Sequence, residues 1–180
     1  MRASIFPMLK RAPAVLAVAC ILTACTSPPS PYSGDVPGAP DSTQDFGASA
    51  EVVTLDTAHG VPVSWEVTVF KPVLVDATPD YPEVHCYPVT LTPTFIGDYP
   101  VDVTVQMPEF TMRNGEQKAN FFQPGEDAKV CDLKDDEPSG YTGDLKVGKT
   151  YNTAFASWFG LYGEPATEVE VSGTNTVTWK

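Results

Sequence analysis

Apolar and polar residues alternate along much of the chain after its first fifty residues, and this period of two predicts β-strands. In the clearest run, residues 61–69, four valines and a tryptophan occupy every second position. Successive side chains of a strand point to opposite faces, so Val63 and Trp65 are expected in a core. By the same reasoning, Glu66 and Thr68 are expected to face water.

Further strands are predicted on both sides of this run, in stretches rich in β-branched and aromatic residues that end at turn signals. These stretches are residues 52–56 before the run, and 87–95, 101–107, 110–112, 151–159, 169–171 and 177–179 after it. Asn114-Gly115 is the strongest hairpin signal, and no amphipathic helix of useful length is evident after the leader. The pattern predicts an all-β fold, a single antiparallel immunoglobulin-like β-sandwich of about seven strands over residues 51–180.

The start of the chain has a different pattern. Lys10 and Arg11 precede an apolar run, residues 12–22, that is too short to span a bilayer stably. The run ends in Leu22-Thr23-Ala24-Cys25, which resembles the lipobox of bacterial lipoproteins. In that class the leader is cut before the cysteine, whose sulfur and new amino group are then acylated.

The lipobox resemblance implies a signal peptide over residues 1–24 and a lipid on Cys25. It places the protein at the extracytoplasmic face of the cell membrane, with the lipid anchor as its membrane contact. An alternative cleavage site before Cys20 fits the lipobox pattern less well, because Ala17 occupies the position where a leucine is expected. The other alternative, a core cysteine in a first helix, is disfavoured by the prolines within residues 27–31.

Residues 25–50 are rich in serine, proline, glycine, aspartate, threonine and alanine, with few apolar side chains. A segment of this composition buries too little surface to offset the entropy lost on ordering. We therefore expect an acylated, disordered tether over residues 25–50 that serves as a spacer.

The chain is acidic, with 11 lysines and arginines against 23 aspartates and glutamates. Loss of Arg2, Lys10 and Arg11 with a leader that has no acidic residue takes the formal net charge from −12 to −15. Such a surface repels polyanions, so a nucleic-acid partner is not expected.

Two of the four cysteines remain once Cys20 is removed and Cys25 is acylated. An even pair outside the cytoplasm predicts a disulfide between Cys86 and Cys131. In the chain-entropy description, closing a loop of this size stabilises a domain by roughly 4 kcal/mol. The alternation places Cys86 on the opposite pleat from Tyr87, so the bridge requires either a bulge or a position outside the core.

The order of features after residue 60 resembles a bacterial family of secreted or lipid-anchored immunoglobulin-like domains, of which mycobacterial immunogenic secreted proteins are the best-known members. The resemblance rests on the first strand at 61–69, on Phe-Thr-Met-Arg-Asn-Gly at 110–115, and on Leu-Lys-Val-Gly at 145–148 before the aromatic strand. It implies a β-sandwich outside the cell. It implies no reaction and no catalytic residue, and the pair Cys86 and Cys131 has no counterpart in the family pattern.

No serine-hydrolase elbow, zinc-protease helix motif, phosphate loop or calcium-loop spacing occurs in the sequence, so no catalytic residue and no cofactor are predicted. A carboxylate cluster, Asp132, Asp135, Asp136 and Glu137, is more typical of a solvated charge run than of a calcium site.

Two other groups of residues are candidate sites. The soft ligands that copper prefers occur together in the set His85, Cys86, Met107 and Met112. Several aromatic side chains could line a groove but are more typical of a core, namely Trp65, Tyr87, Trp158 and Phe159. Trp179 remains ambiguous, because a terminal strand often lies at a sheet edge.

The leading hypothesis is a membrane-anchored extracytoplasmic lipoprotein that presents a non-enzymatic domain for binding a protein or a surface ligand. One alternative is a lipoprotein that handles copper through the soft-ligand set. The other is an unrecognised envelope hydrolase, which would require a concave pocket with at least two convergent polar groups.

Overall fold

The computed structural model describes residues 30–75, 84–121, 131, 140–158 and 163–180, with only the backbone at 120 and 121. In these residues the regular structure consists of eleven strands and one short 3-10 turn, Thr142–Asp144. No helix within them is long and apolar enough to cross a bilayer.

The strands follow the β-branched and aromatic stretches of the sequence. In chain order they are β1 Ser42–Gln44, β2 Ser49–Leu55, β3 Pro62–Val69, β4 Val73–Val75, β5 Val84–Ile96, β6 Glu109–Asn114, β7 Gln117–Lys118, β8 Asn120–Phe121, β9 Tyr151–Trp158, β10 Glu168–Ser172 and β11 Thr176–Trp179.

The strands form two sheets. The five-stranded sheet has the order β1-β11-β10-β6-β7, and the six-stranded sheet has the order β2-β3-β5-β9-β8 with β4 beside β5. Strand β1 pairs in parallel with β11, and the other pairs among the described residues are antiparallel. The predicted β-sandwich is therefore confirmed, with eleven described strands where about seven were expected.

The main core lies between the two sheets. Its largest fully buried side chains are Trp65, Trp179, Tyr87, Leu91 and Met112. Both indole N–H groups are paired: Trp65 Nε1 donates to Thr54 Oγ1 at 3.0 Å, and Trp179 Nε1 donates to the Ala48 carbonyl at 2.8 Å. Trp65 and Tyr87 are core residues as the sequence suggested, and Trp179 joins them because β1 covers the edge of β11.

Strand β3 alternates as predicted on its inner face but not on its outer face. Val63 and Trp65 are buried and Glu66 is exposed, whereas Thr68 is only 7% exposed. The prediction of a water-facing Thr68 is wrong because β3 lies between β2 and β5, so neighbours flank its outward side chains. Thr68 Oγ1 lies 2.8 Å from Ser49 Oγ, and this hydrogen bond satisfies the buried hydroxyl.

Two local predictions after β5 had different outcomes. The hairpin is present: Asn114 pairs with Gln117 across a two-residue loop, and Gly115 has a φ of +59°. Residues 101–107 do not form a strand, since they make only an isolated bridge between Thr104 and Tyr141. Their backbone groups bond instead to the 140–142 segment, so the valines at 103 and 105 are buried in a loop.

The predicted boundary between tether and domain is also wrong. The segment before residue 51 contains β1, and the Tyr32 N–H donates to the His59 carbonyl at 2.8 Å. Farther along, the Thr176 N–H donates to Asp41 Oδ1 at 2.6 Å. These are mostly backbone contacts, which composition does not reveal, and proline reduces the entropy cost of ordering such a chain. Residues 25–29 lie outside the described residues.

The tip of the β10–β11 hairpin links the two sheets at the free edge of β2. Val53 donates its N–H to Asn175 Oδ1 at 3.0 Å, and its carbonyl accepts from the Thr174 N–H at 2.6 Å. A side chain at Gly173 would place its Cβ 2.1 Å from the Val53 carbonyl oxygen, so this close approach requires glycine. The tip thus covers an edge that would otherwise expose unpaired backbone groups.

Candidate binding surface

The structure joins Cys86 and Cys131 by a disulfide with a Cα–Cα distance of 5.7 Å, and this is the pair that the sequence predicts. Cys86 lies on the outer face of the six-stranded sheet, while Tyr87 beside it points into the main core. The bridge therefore lies outside the main core, which is one of the two arrangements that the alternation allowed. No bulge is needed at Cys86, since the register shift of β5 lies farther along, opposite Ser64 and Trp65.

The disulfide organises a second apolar cluster on this outer face. Its buried members are Val84, Cys86, Cys131, Ala154 and Ala156, with Val75 and Trp158 partly buried beside them. We call these seven residues the outer cluster. The two alanines of β9 stand opposite Cys86 and Pro88, where small side chains leave room for the second cysteine. Trp158 thus belongs to the outer cluster, and Phe159 lies outside the described residues.

Strand β4 borders the outer cluster and is short and exposed. It pairs with β5 so that Val73 stands opposite Cys86 and Leu74 opposite His85. Phe70, Val73 and Leu74 are 41%, 55% and 64% exposed, respectively, and we call these three side chains the exposed edge. Within the described ranges no strand pairs with the other side of β4. Exposed apolar side chains beside unpaired backbone groups are typical of a protein interaction site.

The soft-ligand set is not brought together. Cys86 is bonded to Cys131, and Met112 is buried in the main core with Met107 at its border. His85 lies on the opposite pleat from Cys86. Among the residues that the structure describes, no group of three or more histidine, cysteine, aspartate or glutamate side chains is placed to hold a metal. The carboxylate cluster at Asp132, Asp135, Asp136 and Glu137 lies outside the described residues.

One polar cluster was missed by sequence reasoning. The Asp56 carboxylate is buried, accepts the His59 backbone N–H at 2.5 Å, and lies 3.4 Å from His59 Nδ1. The Tyr99 ring lies 5.1 Å from the His59 ring, and partial desolvation together with the Asp56 charge raises the pKa of Tyr99. Gly60, at a φ of +72°, donates its N–H to the Asp56 carbonyl. These contacts close the β2–β3 loop, and a polar residue followed by glycine was its only local signal.

Two surface depressions bear on the hydrolase alternative. A groove of about 370 Å³ is lined by Ser49, Ala50, Glu51, Glu66 and Thr94. Glu51 stands directly opposite Glu66, an arrangement of like charges that disfavours the strand pair.

The second depression, of about 500 Å³, contains Asp98 and Asp102. The Asp102 carboxylate accepts from Thr142 Oγ1 at 2.8 Å and from the Gly143 N–H at 2.7 Å. These two hydrogen bonds fix the Asp102 carboxylate to residues 142 and 143, so Asp102 stabilises this loop. Neither depression presents the nucleophile, base and orienting group that hydrolysis requires among the described side chains.

No family model and no curated protein matches the chain. Two solved structures are similar to it. The first is MPT63, a secreted protein from Mycobacterium tuberculosis, with a TM-score of 0.42 and 19% identity over 77% of this chain and 95% of that one. The second is a predicted lipoprotein from Staphylococcus aureus subsp. aureus NCTC 8325, with a TM-score of 0.36 and 13% identity over 73% of this chain and 93% of that one. At these values the likenesses carry no information on function, so the functional surface is identified from the residues of this chain.

Proposed function

We propose that the protein is a lipoprotein held at the extracytoplasmic face of the cell membrane by acyl chains on Cys25, and that its sandwich domain binds an extended segment of a partner protein. In this proposal the domain is non-enzymatic and β4 is the docking strand. The observation that carries the binding role is the exposed edge, three exposed apolar side chains on and beside a strand that pairs with β5 on one side and with no described strand on the other.

Two features support the proposed location. Leu22-Thr23-Ala24-Cys25 follows a basic and then an apolar stretch, as in lipoprotein leaders. A disulfide such as Cys86–Cys131 persists in oxidising compartments outside the cytoplasm. Each buried methylene of an acyl chain stabilises membrane attachment by about 0.8 kcal/mol, so several chains hold a protein firmly.

The proposed binding mode is strand addition. An extended segment placed beside β4 would bond to the backbone groups on the side that faces no described strand and would cover apolar side chains of the exposed edge. Lys71 and Pro72 directly precede β4, and both residues discourage indiscriminate pairing at a sheet edge. A net charge of −15 after cleavage favours a partner segment that is basic as well as apolar at alternate positions.

The anchor is tested by Cys25→Ser in the natural host. The variant should accumulate as uncleaved precursor or appear in the medium, because the acylated sulfur is lost. Cys20→Ser is the matched control and should be processed normally. A Cys25→Ser protein that still partitions into detergent as a mature lipoprotein would show that the lipobox interpretation is wrong.

The exposed edge is tested by photo-cross-linking in intact cells, with a photoreactive amino acid at position 74 or, as a control, at Val36, which is 47% exposed in the segment before β1. A discrete adduct is expected from position 74 and not from position 36. The adduct should disappear in Val73→Lys, whose urea melt should stay within about 0.5 kcal/mol of the parent. Identical adducts from both positions, or an adduct that persists in Val73→Lys, would contradict docking at β4.

A further inference from the structure

The point at which the chain leaves the described domain is fixed to one end of the sandwich. Tyr99 Oη donates to the Ser30 carbonyl at 2.7 Å, and the Tyr32 N–H donates to the His59 carbonyl. The Tyr32 ring also lies against Gly97, where a Cβ would approach its Cε2 to 3.1 Å. We call this end, formed by residues 30–32 and the loops at 56–60, 97–102 and 145–150, the exit end.

The connection from the exit end to the lipid anchor is short. Only residues 26–29 separate Cys25 from Ser30, and five extended residues span at most about 18 Å. The exposed edge is much farther from the exit end, since Leu74 pairs with His85, which lies eleven residues along β5 from Ile96. At about 3.3 Å per residue this separation is roughly 36 Å. A flexible tether of 25 residues would let the domain take any orientation relative to the membrane, whereas this short connection restricts the orientation.

The exit end also carries exposed apolar side chains. Phe95 and Val101 are 38% and 45% exposed at and after the end of β5. Val147 is 59% exposed in a loop held to the same end by a hydrogen bond from the Gly148 N–H to the Pro93 carbonyl at 2.8 Å. Because a covalent anchor holds these side chains close to the lipid, even weak apolar contacts become favourable.

We infer that the exit end is the membrane-facing surface of the domain, with Phe95, Val101 and Val147 in contact with the headgroup region of the bilayer. This inference rests on the proposed acylation of Cys25. The exposed edge at the opposite end is then directed away from the lipid, where a partner can reach it.

The charge of the exit end sets the lipid preference of this contact. Asp98 and Asp102 flank Val101, so anionic headgroups oppose the approach of that loop. The contact should be closer on zwitterionic than on anionic vesicles at low ionic strength, and the difference should shrink as salt screens the charges.

The experiment uses the acylated protein purified from its host and reconstituted into phosphatidylcholine vesicles. Single cysteines replace Val101 or Val147 at the exit end, Leu74 on the exposed edge, or Glu116 in the hairpin loop between Asn114 and Gln117. Each cysteine is labelled with a small fluorophore. The introduced thiol is the reactive one, because Cys86 and Cys131 are bonded and Cys25 is acylated. Quenching by headgroup-region nitroxide lipid is expected to be at least about threefold stronger at 101 and 147 than at 74 and 116.

Equal quenching at all four positions, or stronger quenching at 74, in protein whose Cys25 acylation is verified by mass would overturn the orientation and leave the anchor intact. A mass without acyl chains would defeat the anchor and this inference together. A flexible insertion of about twenty residues after Pro29 should bring the quenching at 101 and 147 close to that at 74. Unchanged quenching in that variant would contradict the role given to the short connection.

Discussion

The two faces of the six-stranded sheet are stabilised in different ways. The inner face is covered by a second sheet and buries large side chains such as Trp65 and Leu91. The outer face is mainly polar along β3, and at the β4 end it carries the outer cluster built around a disulfide. Strand β5 serves both faces, with Cys86 pointing outward and Tyr87 inward. The extensive core thus depends mainly on buried apolar area, whereas the small cluster on the exposed face contains a covalent link.

The largest effect is expected on the inner face. Trp65→Ala should lower the free energy of unfolding by about 3–5 kcal/mol, because it removes a fully buried indole and leaves a cavity. Glu66→Gln is the control on the exposed side of the same strand and should change stability by no more than about 0.5 kcal/mol. Urea melts of both proteins provide the measurement. Similar small changes in the two variants would mean that β3 is not half-buried.

The outer face should show the next largest effect. Replacing Cys86 and Cys131 together by alanine should cost about 2–4 kcal/mol, since the bridge closes a loop with a sequence separation of 45. The fluorescence of Trp65 and Trp179 should change little, because the two clusters are on opposite faces. It is measured in a Trp158→Phe background, since Trp158 packs beside the bridge. Unreduced peptide mass spectra of exported protein should show the two cysteines cross-linked. Alkylatable thiols at both positions would argue against the bridge.

Tyr87 connects the inner face to the segment after β9, because its hydroxyl donates to the Ala166 carbonyl. Burial raises the pKa of Tyr87 to about 12, so the folded protein holds this proton where an unfolded tyrosine releases it at about 10. Stability from the protonated phenol is therefore complete below about pH 10 and is lost as the pH rises toward 12. Tyr87→Phe should cost about 1–2 kcal/mol at neutral pH and should flatten this alkaline loss. The same slope in Tyr87→Phe and parent would assign the loss to other groups.

The smallest effect is expected at Ser64, an outward residue of β3. It is buried, and its hydroxyl has no hydrogen-bond partner among the described residues. Ser64→Ala should leave stability unchanged or raise it by up to about 1 kcal/mol, because an unsatisfied buried hydroxyl is unfavourable. Thr68→Val is the comparison variant. It removes a hydroxyl that is hydrogen-bonded to Ser49, so it should lower the free energy of unfolding by about 1 kcal/mol. If Ser64→Ala were the more damaging change, the Ser64 hydroxyl would have a partner.

Local regularities of the sequence determined the longer strands, the inner face of β3 and the hairpin at Asn114-Gly115. The alternation of Val63, Trp65 and Val67 predicts burial because side-chain direction in a strand repeats every two residues, whatever the strand packs against. The cysteine count also predicted the pair Cys86 and Cys131 without any structure. If Cys20 is removed with the leader and Cys25 is acylated, no other pairing of the four cysteines is possible.

Tertiary structure decided the features that depend on residues far apart in the chain. The segment before residue 51 is ordered by a backbone bond from Tyr32 to His59 and by a bond from the Thr176 N–H to the Asp41 carboxylate, which its composition does not reveal. Thr68 is buried because β2 and β5 flank it, and Asp56 meets Tyr99 only after β5 has returned to the β2–β3 loop. The position of the exposed edge, one strand length from the exit end, likewise follows from the pairing of β4 with the start of β5. A backbone hydrogen bond or a contact between strands has no local sequence signal, so such features become visible only when the chain is folded.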